Sequence, residues 1–382
     1  MAHWNRVPLI DYIELIGGGT PKTTVPEYWN GNIPWLSVKD FNNDKRYVYS
    51  TEKHISQSGF ENSPTKMLHK DDIIISARGT VGEIAMIPFD MAFNQSCYGI
   101  RASRGIDQPF LYYLLKNCIS QLKRMTHGSV FDTITRDTFA NIEVDIPDAE
   151  TQKRISSVLA DIDNKIEVND AINDNLHQQA ATLFKALFVD LTPFDGTMPP
   201  NWTISTLGDA TEMGAGGDKP KESSPVKTPL CPYPIYSNGI NDYGLYGYTN
   251  DPKIKVESVT VSARGTIGYV CLRHTPYVPI VRLVTLIPDT KVLSAKYLYL
   301  YLRQLHITGT GTTQQQLTVP DFRKTEIIIP DKNTMDSFTE TVTPLFEQIW
   351  ANEDENTKLA EVRDALLPKL MSGEIDVSDI QL

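Results

Sequence analysis

Long apolar runs are missing from this chain. Nothing in its 382 residues approaches the roughly 20 consecutive apolar positions needed to cross a bilayer, and Met1, His3, Trp4, Asn5 and Arg6 lack the apolar core of a secretory signal. A cytoplasmic protein with no membrane partner is expected. Cysteine is scarce as well. Cys97, Cys118, Cys231 and Cys271 form no CxxC pair and have no histidine at zinc spacing, which excludes a disulfide framework and a zinc module. They read as reduced, buried small hydrophobes, and the sequons at Asn94 and Asn201 then carry no meaning.

Catalytic signatures are absent too. Gly17-Gly18-Gly19-Thr20-Pro21-Lys22-Thr23 has proline where a phosphate loop needs its last glycine, so the cluster is read as a turn. There is no GxSxG elbow and no HExxH helix, and Met198-Pro199-Pro200-Asn201 reverses the Asn-Pro-Pro-aromatic order of amino-methyltransferases. Asp148, Glu150 and Lys153 have the wrong spacing for a metal-dependent nuclease. The first two suit the N-terminus of a helix, where carboxylates complement the dipole. The seven histidines stand singly. The chain reads as non-catalytic, with no metal and no cofactor of its own.

Excess positive charge is also lacking, since the net charge is -11. Its distribution matters more than its sum. Residues 1–148 hold 15 Lys+Arg against 17 Asp+Glu and residues 196–330 hold 13 against 10, whereas 149–195 hold 4 against 8 and 331–382 hold 4 against 12. The acidity belongs to two helical segments and leaves the other two free to approach phosphate. A solvated acidic helix face explains it equally well.

What the chain does contain is periodicity and repetition. From Ala149 to Phe188, Leu159, Ile162, Ile166, Asn169, Asn173, Leu176, Ala180, Leu183 and Leu187 recur at alternating steps of three and four, the heptad spacing of a helix-helix seam. Moving 183 residues on gives Val342, Leu345, Ile349, Asn352, Asn356, Leu359, Arg363, Leu366 and Leu370, with both asparagines in register. The spacing predicts two similar long helices with a shared polar layer that sets register. Pro344 is expected to begin or kink the second helix and Pro368 to disturb its end.

Between the helices the chain repeats a β-rich pattern. Asp71 to Ser76 and Glu83 to Ile87 read as strands around a glycine turn, Pro109 to Thr126 as a helix, and Ile142 to Ile146 as a closing strand. Thr192 to Pro200 reads as a linker. Ser76-Ala77-Arg78-Gly79-Thr80-Val81-Gly82 is answered by Ser262-Ala263-Arg264-Gly265-Thr266-Ile267-Gly268. Trp4…Gly17-Gly18-Gly19-Thr20-Pro21-Lys22 is answered by Trp202…Gly216-Gly217-Asp218-Lys219-Pro220-Lys221, and Phe139…Pro147-Asp148 by Phe322…Pro330-Asp331. Tyr28 to Phe41 has no sequence counterpart; Cys231 to Thr249 stands in its place. The fold class is α+β: mostly-β domains over 1–148 and 193–331, helices over 149–192 and 332–382, and an internal pseudo-two-fold repeat.

The candidate contact residues are polar, planar and basic groups on turns. Arg78 and Arg264 sit in equivalent turns and can grip phosphate or a guanine edge; a salt bridge that fixes the turn is the plainer account. Asn94, Gln95 and Ser96, and Gln314, Gln315 and Gln316, offer amide geometry suited to adenine, with ordinary turn polarity as the alternative. Lys22, Lys39, Lys219 and Lys221 suit phosphate. Thr20, Thr80, Arg136, Ser237, Asn238, Thr266, Thr312 and Thr313 complete the candidate DNA-contact set. Tyr233, Tyr236, Tyr243, Tyr246 and Tyr248 are read as packing.

These residues resemble the DNA-specificity (S) subunit of Type I restriction-modification systems. The likeness spans nearly the whole chain. It is carried by Trp4…Gly19-Thr20-Pro21, Trp29…Gly31…Ile33-Pro34-Trp35, the two SARGT turns, the loops Gly128 to Ile134 and Gly311 to Leu317, and Gln152-Lys153-Arg154-Ile155…Leu159…Asp163…Ile166. The resemblance implies two target-recognition domains, each reading half of a split asymmetric DNA sequence. It also implies two helices packed antiparallel as a coiled-coil spacer with a seam of Leu159, Ile162, Ile166, Asn169, Asn173, Leu176 and Leu183 against Leu345, Ile349, Asn352, Asn356, Leu359 and Leu366. The implied partners are double-stranded DNA, two methyltransferase subunits using S-adenosylmethionine, and restriction subunits driven by ATP and Mg. The second domain lacks the Trp-Gly-Ile-Pro-Trp stretch, so base-reading residues do not transfer between domains. Other classes that fit the helices are a protein-binding coiled-coil adaptor and the recognition part of a self-contained DNA methyltransferase or nuclease.

Overall fold

Ile73, Ile74 and Ile75 are completely buried along one short strand, so both faces of that strand meet apolar partners. A strand buried on both sides reads as an unbroken apolar run rather than an alternation. In the computed structural model, which describes residues 4–126, 133–309 and 316–380, this strand lies inside a four-stranded sheet of order Ile13–Gly17, Cys97–Ala102, Ile73–Ser76, Ile84–Met86. One face packs with Phe110, Leu111 and Leu115 of the helix Gln108–Thr126. The other face packs with Leu36, Phe41 and Phe93.

The chain divides into two compact units, residues 1–169 with 353–382, and residues 170–352. These units cut across the four expected segments, because the far half of the distal helix packs into the first unit's core through Leu367, Leu370 and Met371. The second unit repeats the sheet, in the order Thr211–Ala215, Val284–Pro288, Ser258–Val261, Val270–Arg273. Its second face is built differently. Thr260 accepts from Arg273 Nε at 2.9 Å, Ser258 pairs with the Tyr277 hydroxyl at 2.9 Å, and the Arg273 guanidinium lies 3.6 Å from the centre of the Tyr236 ring. A buried polar layer here takes the place of the first unit's apolar one.

Each unit also holds a smaller four-stranded sheet. In the first, Trp29–Leu36 runs parallel to Met91–Phe93, with Leu36 opposite Phe93; in the second, Tyr233–Tyr236 runs parallel to Val278–Pro279, with Tyr236 opposite Pro279. Tyr28 to Phe41 therefore has a structural counterpart within Cys231 to Thr249. The absence of a counterpart expected from sequence is corrected: the pairing is made by backbone groups, which leave no shared side-chain pattern.

The central helix runs Ala149–Phe184 and ends in a π turn over Lys185–Val189. Asp148 Oδ1 accepts from the Glu150 and Thr151 amides at 3.1 and 3.0 Å, and Asp331 Oδ1 accepts from Asn333 and Thr334 at 3.1 and 3.2 Å at the start of the distal helix. That helix runs Lys332–Met371, through Pro344 and Pro368. Of the two roles expected of Pro344, beginning the helix is excluded, since the helix starts twelve residues earlier; Pro368 lies in its last turn. Both prolines are exposed, as are Glu340 and Asp364 four residues before them, so water can take the carbonyls freed by the missing amides. No helix among the described residues is long and apolar enough to cross a membrane.

Within each unit the two helix segments run antiparallel. In the first, Asn169 Nδ2 donates to Asn356 Oδ1 at 2.9 Å and to Glu355 Oε2 at 2.7 Å. In the second, Asn352 Nδ2 donates to Asn173 Oδ1 at 2.8 Å. Leu159, Asn169, Asn173, Ile349 and Asn352 are buried; Ile162, Ile166, Leu176, Leu183, Leu345, Asn356, Leu359 and Leu366 are half-buried. Asp163, Phe184, Phe346 and Leu367 are the buried residues one step beyond Ile162, Leu183, Leu345 and Leu366. The strict heptad reading is corrected there: the inward face is a broader stripe that takes in the residue after each of these positions, as on a helix packed against a globular core as well as a partner helix.

Candidate nucleic-acid interface

Strand register brings the scattered candidates to one end of each sheet. Gly17 lies opposite Tyr98 and Ser76 opposite Cys97, so the Gly18–Lys22 segment, the 94–96 connection and the SARGT turn leave the first sheet side by side. In the second sheet Ala215 and Val261 both face Val284, which aligns Gly216–Lys221, residues 280–282 and the second SARGT turn in the same way. Gly79 and Gly82 adopt φ of 80° and 86°, and Gly265 and Gly268 adopt 69° and 85°, a region that only glycine enters without cost. Arg78 and Thr80, and Arg264 and Thr266, are exposed on these turns.

The expected turn at Gly17-Gly18-Gly19 is corrected, because Gly17 ends the strand Ile13–Gly17 and Gly18 and Gly19 continue from it without forming a turn. Close approach explains them: a Cβ on Gly18 would lie 2.1 Å from the Asn94 carbonyl oxygen, and one on Gly216 would lie 2.7 Å from the Ile280 nitrogen. Trp35 Nε1 donates to the Gly19 carbonyl at 3.0 Å, and Trp29 Nε1 to the Lys22 carbonyl at 3.3 Å. The Trp29 and Trp35 rings meet edge to face at 5.3 Å. Trp29 and Trp35 thus serve the segment that presents Thr20 and Lys22.

Around this edge, Thr20 Oγ1 bonds Gln95 Oε1, and Asn94 Oδ1 accepts from the Ser96 amide at 3.0 Å. The Ser96 carbonyl accepts from the Ala77 and Arg78 amides at 2.8 and 3.2 Å, which locks the first SARGT turn. In the second unit the Ala263 amide donates instead to Asn238 Oδ1 at 2.7 Å, while Asn238 Nδ2 donates to the Val281 carbonyl at 2.6 Å. Asn238 thus braces the second SARGT turn, both ends of its amide being bonded to backbone. Ser237 beside it donates its amide to the Gly244 carbonyl at 2.8 Å.

Arg264 directs Nε and Nη2 at Gln316 Oε1, at 3.2 and 3.0 Å. A side-chain amide, rather than a salt bridge, steadies it. Arg136 donates to the Leu15 carbonyl at 3.0 Å, and Lys39 is exposed on the short helix Val38–Phe41. Lys219 and Lys221 are exposed, with Lys219 Nζ 5.2 Å from the centre of the Tyr246 ring. Tyr243 and Tyr246 are more than half exposed, which corrects their reading as packing residues. Thr312, Thr313, Gln314 and Gln315 lie outside the described residues.

Two features here were not singled out from sequence. Val281 and Arg282 have φ of 53° and 60°, although neither is glycine or asparagine, at roughly 1–3 kcal/mol each. Deeper in the first unit, Arg363 donates from Nη1 to Asp163 at 2.9 Å and from Nη2 to Asp44 at 3.0 Å; the Tyr113 hydroxyl donates to Asp163 at 2.6 Å, and Lys116 to Asp44 at 2.9 Å. Arg46 joins the same region through Glu167 at 3.2 Å and through Asn164. A charged residue at an apolar heptad position, Arg363, was the available signal. Burial pushes the Cys97 thiol up to about 12 and the Cys118 thiol up to about 11, so neither is a nucleophile at neutral pH.

The sequence profile for the Type I restriction modification DNA specificity domain matches residues 1–178 and 199–361. The chain is 28% identical to the Type I restriction enzyme MjaIX specificity subunit of Methanocaldococcus jannaschii, over 99% of this chain and 94% of that one. It is 26% identical to the Type I restriction enzyme HindI specificity subunit of Haemophilus influenzae, over 70% and 77%. In fold it is similar to the crystal structure of a Type-I restriction-modification S subunit from M. genitalium, with a TM-score of 0.57 at 15% identity, covering 97% and 96%. A doubled sheet presenting the same turn at the same edge, and a profile match over both halves, place this chain in the family of Type I restriction-modification DNA specificity subunits.

Proposed function

We propose that the chain reads a split, asymmetric double-stranded DNA target, one half-site per unit. The observation that carries this is the equivalence of the two sheet edges: one frame built twice, with the same Arg-Gly-Thr turn and different neighbours. An identical turn suits the phosphate backbone, which is the same everywhere, and differing neighbours suit bases, which are not. Arg78 and Arg264 serve as phosphate contacts with Lys22, Lys219 and Lys221. Thr20, Gln95 and the outer segments are the base-reading candidates of the first unit.

The long helices act as a coiled-coil spacer that sets the gap between half-sites. Helices of 36 and 40 residues are about 54 and 60 Å long, against a groove repeat of about 34 Å. Each half-site alone gives limited discrimination, because a good bidentate contact is worth about 1–3 kcal/mol. Joining two readers in one chain raises the effective concentration of the second. The chain contributes no catalysis in this reading. Two methyltransferase subunits that use S-adenosylmethionine dock on the outer helix faces, and restriction subunits that use ATP and Mg join them.

Mapping methylated positions in DNA from cells that express the chain with its cognate methyltransferase tests this. A split asymmetric motif is expected, and exchanging one unit for that of a relative should change one half only. Methyl transfer by the purified chain alone, or methylation without a split motif, would overturn the reading.

A further inference from the structure

Residues 280–282 of the second unit occupy the place of Asn94–Ser96 in the first. The Asn94 amide donates to Leu36 and the Ile280 amide to Tyr236, at 3.0 and 2.9 Å, from equivalent points of the two smaller sheets. We infer that Arg282 reads a guanine in the half-site of the second unit. This rests on the DNA-reading function proposed above.

The backbone of this step is fastened on every side. The Val281 amide donates to the Gly217 carbonyl at 2.9 Å, the Arg282 amide to the Gly216 carbonyl at 2.8 Å, and the Val281 carbonyl accepts from Asn238. These bonds hold two residues with side chains in a left-handed conformation that glycine adopts freely. Both side chains are exposed at the sheet edge that also carries Arg264. With both amides and the Val281 carbonyl committed, the step offers a ligand an isopropyl group and a guanidinium.

Chemistry then selects the ligand. A planar guanidinium fork matches the O6 and N7 acceptors of guanine in the major groove, and Val281 beside it suits a thymine methyl. The first unit presents Gln95 and Ser96 at the corresponding positions, so the difference between the units is concentrated where a difference in bases must be read. Arg264 has the same residue at its counterpart, Arg78, and fits the invariant backbone.

The test is methylation mapping with Arg282→Gly and Arg282→Lys in the complete complex. The glycine variant relaxes the left-handed backbone and should melt no lower than the wild type, which separates recognition from folding. Lysine keeps the charge but loses the fork. Both variants should accept other bases at one guanine position of one half-site, with discrimination there falling roughly 10- to 100-fold and the other half unchanged. Unchanged specificity in both variants would overturn the assignment. So would a lysine variant that keeps the motif while the glycine variant weakens methylation at every site equally, or a second half-site without a G·C pair. If the wild type itself gives no split motif, the DNA-reading proposal fails first.

Discussion

Arg363 holds Asp163 on one side and Asp44 on the other, and the residues 183 positions away show what this arrangement replaces. Asp163 corresponds to Phe346, and Arg363 to Ala180, both buried in the second unit. One unit has an ion pair at these helix positions and the other has Phe346 and Ala180 buried in its apolar core. Arg363→Ala leaves Asp163 buried with only the Tyr113 hydroxyl, and should destabilise the first unit by about 3–5 kcal/mol in chemical denaturation. The double variant Asp163→Phe with Arg363→Ala writes the second unit's pair into the first and should recover more than half of that loss, because replacing both partners removes the uncompensated charge. No recovery would mean that Arg363 stabilises the unit mainly through Asp44 and Asp364, which it also bonds at 3.0 and 2.9 Å.

The helix segments carry two reciprocal asparagine pairs. Asn173→Ala strands the Asn352 amide and should cost about 1–3 kcal/mol. Leucine at both positions should restore or raise the melting temperature, yet broaden the oligomeric species seen by size exclusion, because a buried amide layer specifies register at the expense of stability. His177 sits one turn along with Nδ1 buried and without a hydrogen-bond partner among the described residues. Burial, helped by the Arg303 charge and opposed by Asp174, lowers its pKa below the usual 6.5, and its ring meets Phe346 edge to face at 5.9 Å. The unfolded chain then binds a proton that the folded one resists. This contribution is therefore present above pH 6.5 and lost as the pH falls below it. His177→Leu should flatten the dependence of stability on pH between 7 and 5, and an unaltered slope would rule out this histidine as its source.

These elements differ in how plainly the sequence announces them. Ile73 to Ser76, the glycine turns and both asparagine positions are legible, because β-branched runs, left-handed glycines and heptad spacing are local signals. The parallel pairing of Leu36 with Phe93 and of Tyr236 with Pro279 is not, since it is made by backbone atoms of distant segments. Val281 and Arg282 escape notice for the opposite reason: left-handed backbone is ordinarily marked by glycine or asparagine, and here three hydrogen bonds impose it on other residues. Of the contact candidates, register gathers Thr20, Lys22, Arg78, Thr80 and Asn94–Ser96 at one edge, and Asn238 is seen to brace the turn in the second unit.

At the scale of the whole molecule, the boundary between units falls between the two asparagine pairs. Inserting seven residues after Asn169 and seven after Asn352 leaves each pair inside its own unit and lengthens both helices by about 10.5 Å, or about three base pairs. The permitted gap in the methylated motif should grow with both half-sites retained; an unchanged gap would sink the spacer proposal. The same boundary has a genetic consequence. The second unit is one uninterrupted stretch, residues 170–352, whereas the first is assembled from both ends of the chain. Two crossovers, at the codons flanking that stretch, would transplant the second unit as a cassette with its core and its own asparagine pair intact. A crossover that replaced only residues 1–169 would part Asp163 from the Arg363 it was matched to, so recombination between related genes is expected to diversify the second half-site more readily than the first.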